Sequence, residues 1–293
     1  MRNLFLSLCL ALLSFAMQAQ TIVTSPDLSI PSMIAPAYFG PNAFPVPDML
    51  DGRTSENLSI ELYGDSFLCT LTDSMSDDLT FDVFAKARIP LFSHKVNLTL
   101  WMPVVEYFRS SPEINALRRT NLQGWTSGWD SGDVYVTTDI MILEQDKAGF
   151  DATIRAAMKT ASGNSYGYAR VYDSPGYFFD LSAGRDIIRA VDECDLNLRV
   201  ALSGGFLCWQ TDNGRQNDAV MFGALVAVSR KRFSADMALG GYVGWEGVGD
   251  RPVTLKTRIS YAFGKTALVA SHQVGFNDWP FHQFRLGVSY TFK

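Results

Sequence analysis

Eight cationic side chains share one phase of a two-residue alternation: Lys86, Arg88, Arg155, Lys159, Arg199, Lys256, Arg258 and Arg285. Glu61, Asp65, Asp82, Asp133, Asp139, Asp151, Asp180, Asp186, Asp195 and Asp236 fall in the same phase. Residues two apart on an extended chain lie on one face, so these charges line one side of a sheet. The other side is apolar: in "FDATIRAAMKT", Phe150, Ala152, Ile154, Ala156 and Met158 alternate with Asp151, Thr153, Arg155, Ala157 and Lys159. Two roles suit such a face. Charges enclosed away from water must be paired, so mixed signs fit cross-bracing by ion pairs. Alternatively Arg155, Lys159, Arg199, Lys256, Arg258 and Arg285, with Lys86 and Arg88, line a path for an anionic solute, with Asp82, Asp139, Asp151 and Asp236 among them. A strongly selective pore more often carries a ring of one sign.

Covalent catalysis would need a nucleophile beside a base. The histidines are His94, His272 and His282. His272 follows Ser271, but adjacent strand residues face opposite ways, so those two cannot form a dyad. A serine on a neighbouring strand is left as a partner for His272 or His282. No Gly-x-Ser-x-Gly, His-Glu-x-x-His or phosphate-binding loop occurs. Cys69, Cys194 and Cys208 are scattered, with neither zinc-ligand nor disulfide spacing. No metal or cofactor is expected. A formal charge of −5 without a basic block gives nucleic acid nothing to bind.

The elements that carry these residues are long. Twelve alternating segments are predicted, at 57–68, 78–89, 94–107, 133–143, 149–160, 177–187, 195–208, 219–230, 233–244, 253–263, 266–275 and 281–292. Most exceed the usual globular strand of about 5–6 residues and suit the ~9–11 needed to cross a bilayer at a tilt. Short connections (90–93, 144–148, 188–194, 231–232, 264–265) alternate with longer ones (109–132, 161–176, 209–218, 245–252). That asymmetry predicts an all-β fold: a transmembrane, antiparallel, up-and-down barrel of 12 strands with periplasmic turns and extracellular loops. An even count closes such a barrel without a free edge. The alternative is a secreted β-sandwich, whose strands would be shorter.

Residues 1–20 read as a secretory signal peptide: Arg2, an apolar run from Leu4 to Phe15, then small residues to Ala19. Residues 21–56 hold Pro26, Pro31, Pro36, Pro41, Pro45 and Pro47, which forbid a helix or a central strand. With Tyr38, Phe39 and Phe44 to pack, this segment either plugs the barrel or tethers a periplasmic partner. Residues 57–293 form the barrel.

The chain ends "FRLGVSYTFK", with Phe284, Leu286, Val288, Tyr290 and Phe292 on one face. This last strand resembles those of bacterial outer-membrane β-barrel proteins, which commonly end in an aromatic read by the barrel-assembly machinery. The resemblance covers residues 57–293 and implies that Tyr290 and Phe292 form an assembly signal, here followed by Lys293. The "MQAQ" ending and the acidic, aromatic-rich style look like proteins of Bacteroidota. "GDVYVTTDIMIL" followed by "IRAAMKTASG" is similar to a Gly-Asp strand and a Lys-Thr-x-x-Gly strand end of MetA-type outer-membrane channels, which usually have proline where this chain has Ala161 or Ser162. The resemblance implies localisation in the cell outer membrane, with lipid as partner. The leading function is a passive channel or transporter for a small, anionic solute. The alternatives are a non-conducting accessory barrel that binds partners by its loops or N-terminal segment, and a surface lipid hydrolase. Trp125, Trp129, Tyr166, Tyr168, Tyr172 and Tyr177 would stack on ligands or, as aromatics often do, steady loop bases at the interface.

Overall fold

Each segment of period-two alternation forms a strand in the computed structural model, which describes residues 39–75, 78–92, 94–117, 127–163, 175–190, 195–210, 216–245, 247 and 249–292. The strands are β1 (Ser59–Cys69), β2 (Leu79–Leu91), β3 (Val96–Arg109), β4 (Ser127–Asp130), β5 (Tyr135–Leu143), β6 (Asp151–Lys159), β7 (Gly176–Ile188), β8 (Leu196–Gln210), β9 (Gln216–Arg230), β10 (Phe233–Gly244), β11 (Val253–Phe263), β12 (Thr266–Asn277) and β13 (Phe281–Thr291). Neighbours pair antiparallel, β3 pairs with β5, and β13 returns to β1 along eleven residue pairs from Ser59↔Thr291 to Cys69↔Phe281. The result is a closed barrel of 12 strands. The four-residue β4 lies in an outer loop and extends the pairing of the outer end of β3. It was not expected from sequence, because four residues are too few to show a period.

Outward side chains are large and apolar. Leu202 is 68% exposed, Leu286 70%, Leu268 53% and Phe179 51%. In water such a surface would drive aggregation. Around a closed cylinder of long strands it is the face that lipid wets, and it places the barrel in a bacterial outer membrane. Aromatic pairs border the belt at the short-turn end: Tyr261–Phe263 and Tyr290–Phe292, each with centroids 4.8 Å apart. The secreted-sandwich alternative would bury these faces, so it is excluded.

One strand changes phase. Asn97, Thr99 and Trp101 face the interior of β3, but so do Glu106 and Phe108. A register shift opposite Val83/Phe84 inserts an extra residue between the two sets. Pro103 sits at this bulge, where a missing N–H costs no ladder bond.

At the short-turn end, the Gln145–Ala148 helical turn follows Glu144. Glu144 accepts from Lys95 at 2.5 Å and Lys147 at 3.0 Å. Those hydrogen bonds hold its carboxyl down to about 2, from an ordinary 4.5. A depressed carboxyl stabilises the folded turn fully above the unfolded value and loses that contribution as pH falls through the folded value. The protection of amides 144–149 against exchange, relative to an unstructured peptide at the same pH, is therefore expected to fall between about pH 4.5 and pH 2, and a Glu144→Gln barrel should show no such step.

Candidate functional site

Residues 39–57 run inside the cylinder. Phe39, Ala43 and Phe44 are buried against Tyr135, Phe178, Trp209 and Tyr242 at the outer end. At the other end Ser55 donates to Asn97 Oδ1 at 2.6 Å, and Asn97 Nδ2 returns a bond to the Ser55 carbonyl at 2.8 Å. The segment therefore spans from the outer mouth to the periplasmic rim before the chain turns into β1.

Proline explains how it is held. Pro41, Pro45 and Pro47 lack donors, so the segment cannot pair as a strand, while its carbonyls still need partners. The barrel supplies them from side chains. Tyr242 donates to the Phe44 carbonyl at 3.2 Å and Arg155 to that of Asp48 at 2.8 Å. Arg199 donates twice to the Asp51 carbonyl, at 2.9 and 2.7 Å, and Thr153 to that of Gly52 at 2.7 Å. Two glycines allow the close approach. Gly52 has φ +88°, and a Cβ at Gly184 would collide with the Asp51 carbonyl oxygen.

The candidate residues divide by what they touch. Arg199 is fully buried and also bonds Asp151 at 2.8 Å and Asp186 at 3.1 Å. Arg155 bonds Asp180 at 2.7 Å and lies over the Phe178 ring. Lys159 is bound to Asp133. Arg285 bonds Asp65 and lies 4.3 Å over the Phe84 ring. A lateral row runs from Arg285 to Asp65, Asp82 and Glu106 on successive strands, and Asn42 caps it by donating to Asp82 and Glu106, both at 2.8 Å. Lys159, Arg199, Asp82 and Asp151 are thus buried in fixed bonds, not open to a solute. Asp195 sits at the periplasmic end of β8, outside the strand, and pairs with Lys231 at 3.2 Å.

The others surround open space. A cavity of about 310 Å³ lies beside the segment, lined by Lys86, Arg88, Asp139, Arg155, Asp236, Lys256, Arg258 and Arg285 among others. Lys256 bonds Asp48 at 2.6 Å, and Arg258 bonds Asp236 at 2.8 Å. Seven cations and five carboxylates line this space, Arg53, Asp51, Asp48 and Glu61 included.

The Gly132-Asp133 pair and the strand end at residues 159–163 meet in space. Asp133 accepts from Lys159 and from the N–H groups of Ser162 at 2.9 Å and Gly163 at 2.7 Å. Thr160 donates its N–H to the Val134 carbonyl at 2.9 Å and its hydroxyl to the same oxygen at 2.8 Å. The motif is a clamp on the outer ends of β5 and β6.

His272 and His282 face outward and bond each other, Nε2 to Nδ1, at 3.1 Å. Ser271 pairs with Arg285 on the opposite face. No serine hydroxyl bonds either imidazole among the described residues, and His94 lies exposed at the periplasmic rim. Tyr177 is outward beside Phe179, and Trp129 is 73% exposed against Tyr107. Trp125, Tyr166, Tyr168, Tyr172 and Cys194 lie outside the described residues. Cys69 and Cys208 are buried.

No protein-family model matches the sequence, and no curated protein matches it. Solved structures do. The chain is similar to an outer membrane channel from Pseudomonas putida F1, with TM-score 0.56, 16% identity, 84% of this chain and 100% of that one covered. It is similar to KdgM porin, with TM-score 0.50, 12% identity, 80% of this chain and 99% of that one covered. At such identities what is shared is the fold, that of a bacterial outer-membrane β-barrel.

Proposed function

We propose that this barrel is a channel for small anionic solutes, gated by residues 39–57. One observation carries the reading. The narrow space beside that segment is walled by more cations than carboxylates, with Lys86 and Arg88 contributed by β2 and Lys256 and Arg258 by β11. β1, β13 and β12 separate β2 from β11, so these four face the space from two sides, with Glu61 of β1 between them. A narrow, low-dielectric passage focuses such charge and sets ion preference even where wider parts carry the opposite sign. Passage is diffusion along these side chains, with Arg155, Arg285, Asp139 and Asp236 completing the path and no cofactor required. The resemblance to a porin and a channel supports the reading, as does the likeness to MetA-type channels, and residues 1–20 act as the export signal of a Bacteroidota-like precursor.

Reconstitution in planar bilayers tests it. In a KCl gradient the reversal potential should lie on the chloride side. Lys86→Gln with Arg258→Gln should move it toward potassium. Potassium preference in the unaltered protein, or no current with or without residues 39–55, would defeat the reading and favour the accessory barrel. Phospholipid hydrolysis lost on His282→Ala would favour the hydrolase.

The last strand is the assembly signal in the same proposal. Tyr290 and Phe292 point outward beside each other at the seam. Phe292→Asp should reduce the amount of heat-modifiable barrel in the membrane, whereas unchanged assembly would remove the role from this residue.

A further inference from the structure

The cavity beside the luminal segment holds polar atoms that the fold leaves unanswered. Asp139 is 4% exposed, and its Oδ1 has no hydrogen bond. Thr99 is 4% exposed, and its hydroxyl has none. The Nε of Arg88 is buried and has none. All three line the same cavity of about 310 Å³. They are also neighbours by register: Arg88 pairs with Thr99, Thr99 with Thr137, and Asp139 stands two residues beyond Thr137 on the same face.

Asp82, Thr80 and Tyr135 also carry an unpartnered buried atom, but none of them lines this cavity. Arg155, Arg199 and Arg285 are each matched to a carboxylate or carbonyl. A buried donor or acceptor left unmade is costly, so most buried polar groups have partners. Three such groups on adjoining residues that line one cavity mark a place where a ligand could answer them after a small side-chain adjustment.

Resting on the channel reading above, we infer that Arg88, Thr99 and Asp139 form a binding site for a hydroxylated organic anion. Arg88 offers a planar fork to a carboxylate or similar acidic group. Thr99 donates or accepts. Asp139 only accepts while ionised, so it takes a hydroxyl hydrogen of the ligand. An ammonium is a poorer match there, because Asp139 lies opposite Arg155 on β6 and shares the cavity with Lys86 and Arg88. Trp101 and Phe84 supply an apolar wall for the carbon chain. Sites of this kind discriminate through their polar groups, since a ligand without the matching group leaves them unpaired.

The experiment uses the full chain in detergent micelles and three probes: gluconate (anion with hydroxyls), hexanoate (anion alone) and sorbitol (hydroxyls alone). Isothermal titration should show gluconate binding about tenfold or more tightly than either of the others. Arg88→Gln and Asp139→Asn should each weaken gluconate by about the same factor. Thr99→Val supplies the readout that a structural role would move the other way. It removes an unpartnered hydroxyl, so thermal stability should hold or rise while gluconate binding falls. Equal binding of gluconate and hexanoate, no gluconate binding, or loss of stability in Thr99→Val would each overturn the site. Its fate is separable from that of the channel. Gluconate binding without conductance sinks the channel and keeps the site, and conductance without gluconate selectivity does the reverse.

Discussion

Deleting residues 39–55 is expected to raise the single-channel conductance of the reconstituted barrel several-fold. The segment runs the length of the lumen, from Phe44 under Tyr242 to Ser55 on Asn97, and its backbone and prolines occupy the central cross-section. Its removal takes away Asp48, Asp51 and Arg53, leaving six cations and three carboxylates around the former cavity. Arg155 and Arg199 lose carbonyl acceptors but keep Asp180, Asp151 and Asp186, so the barrel should fold and migrate as a heat-modifiable species. A gentler variant asks the same question. Asp48→Ala cuts the link to Lys256 and the longer one to Lys86, and should give more frequent openings with unchanged amplitude. Identical current traces from the intact, deleted and Asp48→Ala proteins would show that the segment does not obstruct ions.

Arg285→Met is expected to be the most destabilising single change, by about 3–5 kcal/mol, the usual cost of leaving a buried charge without its partner. The neighbourhood makes this severe. Arg285 is the cation at one end of the row whose other members are Asp65, Asp82 and Glu106, all of them buried. Removing it leaves Asp65 beside Asp82 with the neutral Gln283 amide, at 2.9 Å, in place of a cation, and it also takes away the guanidinium lying over Tyr63 and Phe84. The readout is the temperature at which heat-modifiable mobility is lost. Adding Asp65→Asn should recover much of the loss, because it removes the carboxylate that Arg285 neutralised. Simple additivity of the two changes would mean that the pair is not coupled.

Periodicity revealed the barrel because lipid demands it: every outward position must be apolar and every backbone group paired, so each strand repeats the same instruction. What fills the interior is not written that way. Arg155 and Arg199 were expected to brace carboxylates or greet a solute, and they do hold Asp180, Asp151 and Asp186. Their other partners are carbonyl oxygens of Asp48 and Asp51, and a backbone acceptor has no signature in side-chain type. The proline density of residues 21–56 did carry a signal, since a segment poor in donors and rich in acceptors needs a wall of donors. Reading it would have required knowing which wall. The phase change in β3 was hidden for a different reason. One inserted residue before Glu106 looks like noise in a fourteen-residue strand, yet it brings that carboxylate under Asn42.

The seam between β1 and β13 has a consequence for the order of events during biogenesis. Residues 39–57 precede β1 and occupy the lumen, so they must be laid in the cylinder before Ser59↔Thr291 and Cys69↔Phe281 zip together, or be threaded afterwards through a finished ring. Phe39 at the outer mouth means that by either route this part of the chain, arriving from the periplasm, crosses the thickness of the membrane. The first passenger carried by this barrel is its own leading segment.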